Sequence, residues 1–319
     1  MEDKILQQYQ GPSIKINGEC YLFVGETTAP VDTDPSEIGG TYDSCLECAL
    51  ESSSSESSES FNNVSSSSSS SSRGFTPAEL TLLGWYDAAD TDTITDSGGS
   101  VSQWDDKSGN DYHLTQGTGA EQPTTGATTQ NGLNVIDFDG DDSIAIGSGA
   151  YLQNVPSAMI LTVHKKDVIT GTNILFEVYQ NSGSTRLKHQ VEAGDLGTAG
   201  RRLDSDSYLE IFWQTTDTDP HMFVSIADWA NAQVYSTYDG TLSGPTAFQT
   251  AGNTSNTASQ GMGVADRATE RLDGYICEII VIENDITTDT RQKLEGYLAW
   301  KWGLEDNLPL THPYKGAAP

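Results

Sequence analysis

The chain has 319 residues, 35% of them hydrophobic, and 46 acidic side chains against 16 basic ones give a formal net charge of −30. A surface this acidic repels nucleic acid, whose phosphates need Lys and Arg to neutralise them, and repels anionic membranes. No apolar run approaches the roughly 20 residues that cross a bilayer, so neither a nucleic-acid partner nor membrane insertion is expected.

The chain reads as three zones. Residues 1–50 form a small Cys-containing, β-rich unit. Its first residues, Met1-Glu-Asp-Lys-Ile-Leu-Gln-Gln8, show no basic segment followed by an apolar one, so no Sec-type leader is predicted. Cys45-Leu-Glu-Cys48 is a CxxC, with Cys20 upstream. Three thiols and no His fall short of the four ligands of a structural zinc site. A disulfide from Cys20 to Cys45 or Cys48, or a metal shared between subunits, are the two readings. Residues 51–74 are a Ser/Glu-rich linker, with an unbroken Ser run from Ser65 to Ser72. It has almost nothing to bury against the entropy of ordering it, so it reads as a tether or a glycosylated stalk.

Residues 75–319 form the main domain. Thr76, Pro77 and Glu79 carry the cap, first-position and capping-box signals of a short helix of about two turns that ends at Gly84. Short β-type runs follow at Asn134–Phe138, Met159–His164, Ile174–Tyr179, Tyr208–Trp213, His221–Ala227, Gln233–Tyr238 and Tyr275–Ile282. They are split by polar turns, Asp239-Gly240 among them, which argues an all-β sandwich. The run from Tyr275 is apolar on both faces and predicts a central strand, with Tyr275, Cys277, Ile279 and Val281 facing one way and Ile276, Glu278, Ile280 and Ile282 the other. From Thr287 or Thr288 a helix is predicted to pack on the sandwich through Leu294, Tyr297, Leu298 and Trp302, stopped by Gly303.

Four segments in this order resemble one family. They are Gly84-Trp-Tyr-Asp-Ala-Ala-Asp90, Val101-Ser-Gln-Trp-Asp-Asp-Lys-Ser-Gly-Asn110, Val135-Ile-Asp-Phe-Asp-Gly140, and the closing block from Asp273 through Glu295-Gly-Tyr-Leu-Ala-Trp-Lys-Trp-Gly303 to His312-Pro-Tyr314. Together they resemble the concanavalin A-like (laminin-G-like) jelly-roll domains of phage and bacterial surface proteins. The resemblance implies a jelly-roll β-sandwich with a short N-terminal and a C-terminal helix. Head, tether and jelly roll together look like appendage or decoration proteins of tailed phages.

No catalytic motif stands out. Glu278 lacks a carboxylate partner at two-residue spacing, and the five His residues show no grouped pattern. Glu278 reads as structural or salt-bridged. Oxygen-rich turns suit calcium. The densest is Asp137-Phe-Asp-Gly-Asp-Asp142, with Asp139, Asp141 and Asp142 as first ligands, followed by Asp87–Asp92 and Asp105–Asp111. Sugar contact would use aromatic faces beside amide and carboxylate groups, which nominates Trp104, Tyr112, Trp229 and Asn231, with Tyr151 as a further candidate.

The expected function is a non-enzymatic virion structural, decoration or fibre-type protein that displays a glycan-binding domain. Its expected place is the virion surface or the extracellular space, with other particle subunits docking through residues 1–50 and homo-oligomers supplying avidity. A secreted bacterial carbohydrate-binding protein and a glycan-cleaving enzyme are the alternatives.

Overall fold

The computed structural model describes residues 13–16, 19–24 and 41–44, and residues 74–319 apart from 182, 183, 216, 249 and 265–269. Contacts divide the chain into two units, Met1–Ser69 and Ser70–Pro319. In the first, β1 (Ser13–Ile16), β2 (Glu19–Val24) and β3 (Thr41–Ser44) pair antiparallel in that order. Cys20 lies on β2. Cys45, Cys48 and all of the Ser tract but Gly74 lie outside the described residues.

The second unit is an antiparallel β-sandwich, as the sequence predicts. Its strands are β4 (Gly84–Asp87), β5 (Ile94–Ser97), β6 (Ser100–Trp104), β7 (Leu114–Thr115), β8 (Thr124–Gln130), β9 (Leu133–Asp139), β10 (Ile144–Ile146), β11 (Ser157–Lys166), β12 (Thr172–Asn181), β13 (Ser184–Glu192), β14 (Asp195–Gly200), β15 (Leu209–Thr215), β16 (His221–Asp228), β17 (Gln233–Tyr238), β18 (Thr241–Ala247), β19 (Gly261–Val264) and β20 (Asp273–Glu283). The helix α1 (Thr288–Trp302) follows.

The pairings trace two layers. One runs β18–β17–β16–β11–β20, and β20 then pairs with β9 through its first half and with β4 through its second. The other runs β15–β14–β13–β12–β19–β10–β7–β6–β5. Two apolar clusters result. Ile160, Phe176, Leu187, Phe223, Ile276 and Val281 belong to the core between the layers. Met159, Leu161, Ile280, Leu294, Leu298 and Trp302 belong to the core under the helix. β11 serves both cores because its side chains alternate between them.

Two local expectations are corrected. The helix predicted after Thr76 is only a 3-10 turn, Pro77–Glu79. The capping signals are real, since the Glu79 carboxylate accepts from the Thr76 N–H at 3.2 Å. Leu80 then turns extended, because Leu82, Leu83 and Trp85 are needed in the cores. The second correction is in β20. Val163 pairs with Glu278 but His164 pairs with Ile276, so Cys277 is the extra residue of a β-bulge. Tyr275, Cys277, Ile280 and Ile282 therefore share the helix side, and Ile276, Ile279 and Val281 face the other layer. The simple alternation fails at that one residue.

α1 is built as its sequence signals. The Thr287 hydroxyl accepts from the Thr290 N–H at 3.3 Å, and Gly303 ends the helix at φ 71°, a conformation open to a residue without Cβ. Thr287→Ala is expected to lower the stability of the domain by about 1 kcal/mol. Urea unfolding checks this, as a fall in midpoint at unchanged slope. Asp239 (φ 48°) and Gly240 (φ 79°) make the expected tight turn between β17 and β18.

Candidate functional site

Two of the four residues expected at a sugar lie in the core. Trp104 and Trp229 are fully buried. Tyr112 packs edge-on against Tyr151 with ring centroids 4.8 Å apart, and Tyr151 is itself buried. Asn231 donates its backbone N–H (3.2 Å) and side-chain amide (2.8 Å) to Asp228, closing the 3-10 turn after β16. Trp104 and Trp229 thus belong to the core, whereas Tyr112 is half-buried and Asn231 is exposed on its turn. In a sheet fold a lone Trp contributes more by burial than at a rim.

The residues expected to hold calcium are only partly together. Asp139 and Asp142 line an open pocket of about 330 Å³ with Asp137, Asp167 and Asp273, whereas Asp141 does not line it. The Asp142 carboxylate accepts from the Asp139 N–H (3.1 Å), and the Asp139 carboxylate from the Asp141 N–H (3.0 Å). The side chains thus brace their own turn around Gly140. Among the described residues no three His, Cys, Asp or Glu side chains converge on a metal-sized point. Burial and the neighbouring Asp139 push the Asp142 carboxyl up to about 6. The other acidic turns are also internal braces. Asp106 accepts from the N–H groups of Trp85 (2.9 Å), Ser108 (2.9 Å) and Tyr112 (3.2 Å).

Glu278 is structural, as its sequence context suggests. It is fully buried and accepts from Trp85 Nε1 (2.7 Å), Trp302 Nε1 (2.8 Å), Tyr297 Oη (3.1 Å) and Lys301 Nζ (2.7 Å). Burial pushes its carboxyl up, against the opposing pull of Lys301. Lys301 also reaches Asp87 at 2.5 Å, and Asp87 pairs with Lys107 at 2.9 Å. Burial alone would raise the Asp87 carboxyl, but the two ammonium groups outweigh it and hold it below the ordinary range.

A polar face that the sequence does not advertise lies on the far side of the second layer. β12, β13, β14 and β15 pair so that Glu177, Lys188, Ala199 and Glu210 form one row across it. Gln190, Gly197 and Phe212 form the next row. Partners directly opposite in a ladder share a face, so all seven point the same way. Ala199 and Gly197 leave β14 low, and the Phe212 ring lies over Gly197, where an added Cβ would stand 2.7 Å from ring atoms.

Buried polar groups at strand centres on an outer face are unusual, because each must recover the hydrogen bonds it had in water. Lys188 is almost fully buried, with its ammonium 3.2 Å from Glu270 and 3.9 Å from Glu210. It also lies 5.8 Å from the centre of the Tyr208 ring. Gln190 is fully buried and gives Nε2 to Glu210 at 3.2 Å. A carboxylate only accepts, so this bond fixes the amide with its carbonyl turned away. That carbonyl oxygen has no donor among the described residues. Glu177 accepts from the Thr185 hydroxyl at 2.9 Å. Over this polar floor stands a rim in which Tyr208 is 37% and Phe212 40% exposed.

None of Lys188, Gln190, Glu210, Glu270, Tyr208 or Phe212 is a candidate in the sequence reading. A signal existed for β13, where Leu187, His189 and Val191 alternate with Lys188 and Gln190 ahead of the tight turn Ala193-Gly194.

No protein-family model matches the chain, and no curated protein matches it. Solved structures give slight likenesses. The binding domain of botulinum neurotoxin serotype G is 10% identical, with a TM-score of 0.47 over 72% of this chain and 54% of that one. Trypanosoma rangeli sialidase in complex with sialic acid is 12% identical, with a TM-score of 0.46 over 69% of this chain and 33% of that one. The CBM40 module of Ruminococcus gnavus IT-sialidase, bound to α2,3 sialyllactose, is 14% identical, with a TM-score of 0.37 over 46% of this chain and 92% of that one. The chain spans about half the length of the neurotoxin domain it is similar to. At these scores the likenesses assign neither a family nor a ligand.

Proposed function

We propose that this chain is a non-catalytic display protein whose sandwich binds glycan on the polar face of β12–β15. The observation that carries the reading is the pairing of two half-exposed aromatic rings, Tyr208 and Phe212, with the partly exposed carboxylates of Glu210 and Glu270, which the buried Lys188 and Gln190 hold from beneath. Sugars present C–H faces and hydroxyl edges together, and this surface offers a partner for each. Placement on paired strands rather than on a long loop favours preorganisation.

The display role rests on sequence organisation. A Cys-bearing unit and a Ser/Glu tract precede the sandwich, which suits an anchor and a tether on a virion or other multi-copy particle. Many copies would raise weak single-site contacts to useful avidity. The catalytic alternative has one supporting observation, two carboxylates (Glu210 and Glu270) within 3.9 Å of the same ammonium. Incubation with the bound glycan, followed by mass spectrometry of the products, decides between them. Intact glycan supports the binding role, and cleavage products would overturn it.

The binding site is tested on a glycan array with the full chain. Tyr208→Ala and Phe212→Ala are each expected to weaken binding about tenfold, the effect of losing a well-packed aromatic contact. Trp104 and Trp229 lie away from the surface, so this face and not those residues should control affinity. Unchanged binding in both rim variants would refute the assignment.

A further inference from the structure

We infer that the β12–β15 face selects neutral, donor-rich glycans and rejects acidic ones; this rests on the glycan-binding reading above. The charge arrangement carries the inference. Among the described residues, the ammonium at the base of the site is that of Lys188, which lies between Glu270 (3.2 Å) and Glu210 (3.9 Å). The side chains of Glu210 and Glu270 are 38% and 27% exposed, whereas that of Lys188 is 4% exposed. What an arriving ligand meets first is therefore carboxylate oxygen, which accepts hydrogen bonds and donates none. A sialic or uronic acid carboxylate would have to displace one of these groups from Lys188 and then sit beside it. Like charges brought together on a weakly solvated surface oppose binding. The net charge of −30 adds a long-range barrier of the same sign.

A second observation concerns hydrogen bonding. Glu210 accepts from Gln190 Nε2 at 3.2 Å and stands 3.9 Å from Lys188, yet its side chain stays 38% exposed. A carboxylate accepts several hydrogen bonds and gives none. Glycan hydroxyls and acetamido N–H groups supply donors to it, whereas an added carboxylate brings only further acceptors.

The test uses the full chain and immobilised glycans in matched pairs, each neutral oligosaccharide beside the same structure ending in sialic or uronic acid. The neutral member of a pair is expected to bind at least tenfold more tightly, with the gap narrowing as salt is raised. Glu210→Gln with Glu270→Gln keeps the shape of the rim and removes its charge, and should shrink the preference severalfold. Two results overturn the inference while leaving glycan binding intact. One is acidic members binding as tightly as neutral ones in a Tyr208-dependent way. The other is an undiminished preference in the folded double variant. Binding to no member of any pair would remove the glycan reading and this inference together.

Discussion

Glu278→Ala is expected to destabilise the sandwich domain by about 3–5 kcal/mol, the usual cost of breaking a buried ion pair by removing one partner. The mechanism is specific. The substitution leaves two indole N–H groups, on Trp85 and Trp302, and the Tyr297 hydroxyl without the acceptor they share. Lys301 keeps Asp87 but loses its more deeply buried partner. Trp85 sits on β4, Glu278 on β20, and Tyr297, Lys301 and Trp302 on α1. One carboxylate therefore holds a helix and two paired strands together. Glu278→Gln keeps the volume and one acceptor but turns an NH₂ toward existing donors, so a smaller loss is expected. Urea unfolding followed by near-ultraviolet dichroism of the Trp residues measures both. A loss below about 1 kcal/mol for the alanine variant would mean that water replaces the carboxylate freely.

Acid is expected to weaken the domain through two histidines that the fold keeps neutral. His164 and His189 lie inside the sandwich, joined through the Thr162 hydroxyl, 3.1 Å from His164 Nδ1 and 2.9 Å from His189 Nε2. Burial lowers His164 to about 3, helped by the charges of His221 and Lys166, and holds His189 well below the ordinary range, helped by His164. Below the ordinary histidine value of about 6.5 the unfolded chain takes up protons that the folded chain refuses. The stability from these groups is thus complete above pH 6.5 and falls as pH drops toward about 3. Each histidine contributes a slope of about 1.4 kcal/mol per pH unit.

Other groups act in the opposite sense. Asp142, raised to about 6, gains a proton more readily in the fold, and His221, raised by Asp239 and Asp217 against its own burial, favours the fold below 6.5. The histidine contribution is therefore read by difference. His164→Asn and His189→Gln each retain a nitrogen or oxygen toward Thr162 but do not titrate. Each should flatten the plot of unfolding free energy against pH, between 6.5 and 4.5, by about 1.4 kcal/mol per unit. Parallel curves for wild type and variants would contradict the neutral-histidine account.

The architecture was legible where one residue type serves one environment. β20 is apolar on both faces and lies centrally, with β11 on one side and β4 and β9 on the other. α1 shows its buried stripe, cap and stop in plain order. β13 shows only its alternation, and β14 was not legible. Their inward positions include His189 and Thr198, which satisfy one another's layer through Thr162 and Ser225 rather than by hydrophobicity. The site was hidden for a related reason. Tyr208–Trp213 reads as a strand, but which of its aromatics emerges depends on Gly197 and Ala199 of the preceding strand, whose pairing register the sequence does not mark. The bulge at Cys277 is another case, because an extra residue leaves no mark in an unbroken apolar run.

The central place of β20 also bears on how the protein is made. The strand beside which β4, β9 and β11 must lie is synthesised after all three, and Glu278 then needs Lys301 and Trp302, later still. The backbone bond from Phe75 N to Pro319 O, 2.9 Å long, likewise joins the beginning of the sandwich to a residue made after β20 and α1. Such non-local pairing cannot form progressively on the ribosome. The nascent chain must carry the β20-facing edges of β4 and β11 unpaired until β20 has been made, so chaperone capture in that interval, rather than final stability, should govern its yield.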